Sequence, residues 1–190
     1  MNHDAKLGIG LATGMFYHAE AGTALPSSPL ASLGASWEKV GDVDVSGITL
    51  NFNMNTQSFR NWANKVKRSA VTDYSGDVAV PIMDTTEESL TTVFGKDKVQ
   101  TIPANSTHGK QVKVDLSMGE LPPEEAYLFL MKDGDDAIMI GCTTGQIKNI
   151  DEVAMEPTNL IKWRPTIEAH LDSNGNEWIM LMDDGNEESS

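Results

Sequence analysis

The stretch Ile48-Thr49-Leu50-Asn51-Phe52-Asn53-Met54-Asn55 decides the fold. Apolar side chains alternate with a hydroxyl and amides, so an extended backbone puts one apolar row on one face and the polar groups on the other. That pattern predicts a half-buried strand. The same alternation returns at Val78/Val80/Ile82, at Val112/Val114/Leu116 against Gln111/Lys113/Asp115, and at Ile161/Trp163/Ile167/Ala169/Leu171 against Lys162/Arg164/Thr166/Glu168/His170. Pro165 has no N–H to give a ladder, which predicts an edge strand or a bulge in the last run.

Turn dipeptides join these runs. Asp133-Gly134 lies between Ala126–Lys132 and Ala137–Thr143, and Asn174-Gly175 lies between Asn159–Leu171 and Glu177–Met182. Each suits positive φ, so each predicts a hairpin. Helical spacing occurs once, at Leu90, Val93 and Phe94. Asp84-Thr85-Thr86-Glu87-Glu88 precedes it, with Thr85 and Glu88 at capping-box spacing, and Gly95 closes it, predicting one short helix over about 86–95. The fold class expected is mainly β: an antiparallel β-sandwich or barrel of about eight strands, one short α-helix and a long hairpin arm. Residues 1–36 read as an N-terminal strand and arm, and 37–182 as a single β-sandwich domain with a long hairpin loop at about 56–70. Residues 183–190, Asp183-Asp184-Gly185-Asn186-Glu187-Glu188-Ser189-Ser190, read as an acidic disordered tail.

Composition narrows the function. The 190 residues hold 14 Lys/Arg against 28 Asp/Glu, a net charge of −14, which argues against a protein that grips nucleic acid phosphates by charge. Residues 1–80 carry 6 basic and 7 acidic side chains and residues 81–190 carry 8 and 21, so the C-terminal half holds nearly all the excess acid. The longest apolar runs, Ala126–Met131 and Ala137–Cys142, are far shorter than the roughly 20 residues of a membrane span. The opening Met1-Asn2-His3-Asp4-Ala5-Lys6 lacks the pattern of a secretion signal, and a lone cysteine forms no internal disulfide, so folding in a reducing cytoplasm is expected.

Few residues point to chemistry. Cys142 follows Ile138-Met139-Ile140-Gly141 in an apolar strand, which suits packing rather than a thiolate nucleophile. His3, His18, His108 and His170 lack metal-ligand spacing and read as surface or structural residues. Asp172-Ser173-Asn174-Gly175-Asn176-Glu177 resembles the start of a calcium loop but misplaces the glycine and lacks the distal glutamate. Asp133-Gly134-Asp135-Asp136 offers too few fixed ligands for a metal. Gly8-x-Gly10-x-x-x-Gly14 misses the dinucleotide fingerprint by one residue, and no Gly-x-Ser-x-Gly elbow occurs. No catalytic, cofactor or metal residue is expected. Thr56–Ala70 holds the one basic cluster, Arg60, Lys65, Lys67 and Arg68, around Trp62. Arg and Trp anchor protein interfaces, so these five residues are the subunit-interface candidates.

Three stretches carry a family resemblance: Phe16-Tyr17-His18-Ala19-Glu20-Ala21-Gly22-Thr23-Ala24-Leu25-Pro26, Trp37-Glu38-Lys39-Val40-Gly41-Asp42-Val43, and Ser46-Gly47-Ile48-Thr49-Leu50. In this order they resemble the major tail tube proteins of phages with long, non-contractile tails. In that family an N-terminal strand leads to a Gly-Thr-Ala-x-Pro turn, then a Trp/Val-Gly strand, then a Gly-Ile-Thr strand that opens a long hairpin. The basic stretch Arg60–Arg68 and the helix Glu87–Gly95 fall in the corresponding places, while Asp42-Val43-Asp44-Val45 departs from the usual aromatic and serine. The resemblance implies a non-enzymatic structural virion protein whose hexameric rings stack into a tube for DNA ejection. It also implies tape-measure, tail terminator and tail-tip proteins as partners, and assembly in the host bacterial cytoplasm.

An acidic inner wall would repel DNA and let it slide, so the acid of the C-terminal half is expected to face the lumen. The arm at 56–70 and the aperiodic Gly22–Ser36 are expected to bridge subunits. Two other classes compete. A carbohydrate- or receptor-binding module would stack Trp62 or Trp178 on sugar rings, although only 12 aromatics are present in all. A metal-assisted hydrolase would need Asp133, Asp135, Asp136 and His170 to converge.

Overall fold

The computed structural model describes residues 8–10, 15–117 and 119–185. The N-terminal third gives β1 (Ile9–Gly10), β2 (Phe16–Glu20), β3 (Glu38–Gly41), and the two long strands β4 (Thr49–Arg60) and β5 (Val66–Ala79). Helix α1 (Glu87–Phe94) and a 3-10 turn (Lys96–Lys98) follow, then β6 (Val99–Ile102) and β7 (Gln111–Val114). The chain ends with β8 (Glu125–Asp133), β9 (Asp136–Ile150), β10 (Pro165–Ala169) and β11 (Ile179–Asp183). No helix among the described residues is long and apolar enough to cross a membrane.

Nine strands make one antiparallel sheet in the order β3-β2-β8-β9-β10-β5-β4, with β1 beside β8 and β11 beside β9, while β6 and β7 form a separate ribbon. The large sheet curls back on itself. Ile82, just past β5, bridges both Val43, just past β3, and Trp163. Around it Asp44 N–H donates to Pro81 O at 2.9 Å and Met83 N–H donates to Asp42 O at 2.8 Å. This stitching closes the sandwich expected from the sequence.

Alternation fills the interior. Phe16, Val40, Val78, Val80, Ile82, Tyr127, Phe129, Ile140, Ile147 and Ile167 point inward with Leu90, Val93 and Phe94 of α1 and with Trp163. Phe16 stacks on Phe129 with ring centroids 4.7 Å apart, and Phe94 meets Trp163 edge-on at 5.4 Å. The opposite face of the same strands is apolar too: Ala126, Leu128, Leu130 and Met139 join Ala19 and Trp37 in a second cluster. Leu25 and Leu33 cover that cluster, so the segment 22–36, expected to bridge subunits, is anchored on its own subunit, with Leu30 left exposed. β8 and the start of β9 therefore read as continuous apolar runs because both faces are buried.

Several details differ from the sequence reading. The helix cap is one residue later than predicted: Thr86 Oγ1 accepts from Ser89 N–H at 3.2 Å and Ser89 Oγ accepts from Thr86 N–H at 2.9 Å. The anticipated pair is occupied elsewhere, Thr85 Oγ1 accepting from Trp163 Nε1 at 3.1 Å and Glu88 lying against His18. Pro165 does start a bulged strand, with the register shift between Thr166 and Ile167, but β10 lies between β9 and β5 rather than at an edge. The hairpin at Asp133-Gly134 forms as expected. At Asn174-Gly175 only the turn forms, Gly175 N–H donating to Asp172 O at 3.0 Å. β10 and β11 do not pair with each other, because each takes a different part of β9, at 145–150 and 137–141. Asp183 belongs to β11, so a tail beginning there is too long; residues 186–190 lie outside the described residues.

The body rests on its aromatic interior. Phe129→Ala removes a fully buried ring stacked on Phe16 and near Trp178. Urea unfolding of this variant is expected to show a loss of about 3–5 kcal/mol with an unchanged m-value.

Candidate assembly surface

The hairpin of β4 and β5 begins as part of the body and ends outside it. Thr49–Asn51 pair with Ala79–Asp77, and Val78 is fully buried. The body's last grip on the hairpin is at Gly76, whose carbonyl accepts from Trp178 Nε1 at 2.9 Å, while the indole lies where a Cβ on residue 76 would sit, at 2.8 Å. From residue 51 to residue 74 every side chain except Ala70 is exposed.

Pairing continues along this exposed length. The expected loop at 56–70 is in fact two paired strands: Thr56 faces Val71, Gln57 faces Ala70, Ser58 faces Ser69, Phe59 faces Arg68, and Arg60 faces Val66. The Ser58 and Ser69 hydroxyls meet at 3.0 Å. Only 61–65 form the turn, held by Asn64 N–H donating to Asn61 O at 2.8 Å and by Lys65 N–H donating to Asn61 Oδ1 at 2.9 Å. Asn64 takes positive φ (59°), a conformation asparagine tolerates better than most residues.

Register decides which face is sticky. Leu50 and Val78 face the core, so by alternation Phe52 with Gly76 and Met54 with Tyr74 continue that same face beyond the body, and the register shift between Asn55 and Thr56 then brings Val71 opposite Thr56 on it. Phe52 is 74% exposed and Met54 67%, and Tyr74 and Val71 are each more than half exposed. The other face is polar through Asn51, Asn53, Asn55 and Gln57. An apolar row of this length with no cover on its own subunit is the mark of an interaction surface.

The five candidate interface residues gather at the tip. Trp62 is fully exposed at 108%, and Arg60 Nη1 donates to Asn64 O at 2.9 Å. Among the described residues, Arg60, Lys65, Lys67 and Arg68 have no ion-pair partner within 4.0 Å, whereas Lys39, Lys110, Lys148 and Lys162 of the body each pair with a carboxylate. The arm therefore offers unspent positive charge on a chain whose net charge is −14.

The residues that could have carried chemistry do not converge. Asp133 and Asp136 close the β8–β9 turn, and Asp183 lies beside them through its pairing with Ala137. His170 is bonded through its backbone to Thr144 and through Nδ1 to Glu124 at 2.9 Å. Thr144 and Asp136 are separated along β9 by roughly 26 Å at the strand rise of about 3.3 Å per residue, so no acid–histidine hydrolase site exists there. Asp172 Oδ1 accepts the N–H groups of Asn174 and Asn176, both at 2.8 Å, and the N–H of Asn176 is the main cause of its depressed pKa; its carboxylate serves the turn. Trp178 packs on Phe129 and is not available for stacking on a sugar. Of the glycine motif, Gly10 pairs with Met131 in β1, while Gly14, like His3, lies outside the described residues. His108 is bound within its own turn to Asn105. His18 is buried among Glu38, Glu88 and Glu125, a cluster from four separate elements that the sequence reading missed.

The architecture is that of a closed β-body carrying a long, two-stranded, half-apolar arm and showing no assembled catalytic group among its described residues. A model of the family "Phage tail tube protein" matches residues 1–189, and the chain belongs to that family. It is a structural component of the virion tail, which assembles with other tail proteins into a polymer. No curated protein matches the chain.

Cys142 checks the integrity of the body independently of assembly. Burial pushes its thiol up to about 12. Iodoacetamide at pH 8 is expected to react about a thousandfold more slowly with the native protein than with the chain unfolded in guanidinium, as thiolate fraction sets the rate. Comparable rates in the two states would show that the β8–β9 core is open.

Proposed function

We propose that this chain is the repeating subunit of a phage tail tube, in which six copies close into a ring and rings stack into the hollow conduit for DNA ejection. The observation that carries the reading is the uncovered row Phe52, Met54, Val71 and Tyr74, which continues the core-facing row Leu50 and Val78 past the end of the body. A neighbouring copy supplies the missing cover. Burying each of these side chains would contribute roughly 1.5–3 kcal/mol, enough in sum to drive association once several are covered together. The unpaired cations Arg60, Lys65, Lys67 and Arg68, with Trp62 at the turn, then dock on the acidic body of that neighbour and set its orientation.

The ring number six is carried over from the resemblance to the major tail tube proteins of long, non-contractile-tailed phages. The acid of residues 81–190 lines the lumen, where like charge keeps the genome from adhering to the wall. The tape-measure, terminator and tail-tip proteins bound the tube in length and at its ends, and the subunit is made and assembled in the host bacterial cytoplasm.

Negative-stain electron microscopy with light scattering over a concentration series tests the reading, in the presence and absence of the tail-tip complex. The wild-type chain is expected to give rings or hollow tubes. The triple variant Phe52→Ser, Met54→Ser, Tyr74→Ser is expected to unfold within about 0.5 kcal/mol of wild type, because the side chains are exposed in the isolated subunit, and to remain monomeric. Normal tubes from this variant, or from a chain lacking residues 56–70, would contradict the proposal.

A further inference from the structure

The cluster around His18 lies at the junction of β2, β3, β8 and α1, away from the arm. His18 is 7% exposed. Its Nδ1 lies 2.9 Å from Glu125 Oε2 and its Nε2 lies 2.7 Å from Glu88 Oε1, with Glu38 Oε2 at 3.9 Å from Nε2. Glu38 stands directly across the β2–β3 ladder from His18, Glu88 comes from the first turn of α1, and Glu125 opens β8. No Lys or Arg side chain pairs with these three glutamates within 4.0 Å among the described residues.

Hydrogen-bond accounting shows what is missing. A neutral imidazole has one N–H and one lone pair, yet both ring nitrogens here face carboxylate oxygens at bonding distance. Either neutral tautomer leaves a lone pair against an anion, so one positive charge belongs here, supplied by a second ring proton or by a metal ion that takes that proton's place on Nε2. Glu125 accepting from Nδ1–H is the arrangement in which a carboxylate orients a metal-bound histidine, fixing the tautomer that frees Nε2. Glu38 makes no hydrogen bond to the ring, yet its oxygen converges with Glu88 on the Nε2 side. His18 Nε2 and the two carboxylate oxygens all lie within 4.8 Å of one another. Tetrahedral ligand atoms about 2.0–2.2 Å from one ion stand roughly 3.3–3.6 Å apart, so the 2.7 Å Nε2–Glu88 contact must open and the 3.9 Å Nε2–Glu38 gap must narrow, each by about half an ångström, as the ion takes the place of the ring proton.

We infer that His18, Glu38 and Glu88 form a binding site for one divalent transition-metal ion of the zinc or manganese class, with Glu125 as the positioning residue for His18. One imidazole nitrogen and two carboxylates select such an ion over magnesium or calcium, which favour all-oxygen ligands. Glu38 and Glu88 are partly exposed, with side-chain exposures of 66% and 39%, so the ion enters from solvent and keeps water on its open positions. Its role is structural: it ties α1 to the β2–β3 edge of the body. The inference is independent of how the arm assembles.

Calorimetric titration of the chelator-stripped, full-length chain with Zn²⁺ alone and Mn²⁺ alone, with Mg²⁺ as control, tests this, together with ¹⁵N NMR of the histidine rings. One ion per chain is expected for Zn²⁺ or Mn²⁺ and none for Mg²⁺, with Zn²⁺ shifting the His18 Nε2 resonance while Nδ1 stays protonated. Glu38→Gln, at an exposed rim position, is expected to fold normally and bind at least tenfold more weakly. Glu125→Gln is expected to weaken binding by about 10–100-fold although it touches no ion. Zn²⁺ binding that leaves the His18 ring unchanged, or a Glu38→Gln chain that binds as tightly as wild type, would overturn the site.

Discussion

The β4–β5 ladder imposes the constraint on which the rest of the structure depends. Its core end must present an apolar face, because Val78 packs inside the body with Leu50 beside it. Alternation and the register shift between Asn55 and Thr56 then carry that face outward to Phe52, Met54, Val71 and Tyr74, where the subunit has nothing to cover it. A two-stranded ribbon by itself is at best marginally stable in water. This one is held at its base by the closed sheet and by Trp178 at Gly76, which keeps the sticky face extended and in register. The body thus holds the arm out with its apolar face uncovered.

How the body is closed explains why it can hold the arm out. Ile82 ties the strand ends together through two bridges, and α1 plugs the interior with Leu90, Val93 and Phe94. Outside, Leu25 and Leu33 seal the second apolar cluster over β8 and β9. Charge is divided in the same way. Lys39, Lys110, Lys148 and Lys162 of the body pair with carboxylates, while among the described residues the four cations of the arm do not.

Much of this is legible in the sequence where one physical signal dominates. Ile48 to Asn55 alternates cleanly because one face of β4 stays polar, Asp133-Gly134 names its turn, and Gly95 ends its helix at a φ of 91°. The basic tip around Trp62 stands out by contrast with an acidic chain. Legibility fails where pairing depends on distant partners. β8 is buried on both faces and loses its alternation, and β10 and β11 take successive parts of β9 although their intervening turn looks like a hairpin. The arm appears as a loop because Ser58, Ser69 and Lys67 carry little strand preference, while the ladder itself supplies the order. His18, Glu38, Glu88 and Glu125 meet only because β2, β3, α1 and β8 do, which no local spacing announces.

The central claim is that the arm's apolar face is completed by another copy of the chain. A cryo-electron microscopy reconstruction of the assembled tail polymer measures this directly. The account expects Phe52, Met54, Val71 and Tyr74 to lie against side chains of an adjacent subunit and to be excluded from water. A reconstruction in which that row borders solvent or the lumen, with subunits joined through other surfaces, would contradict it.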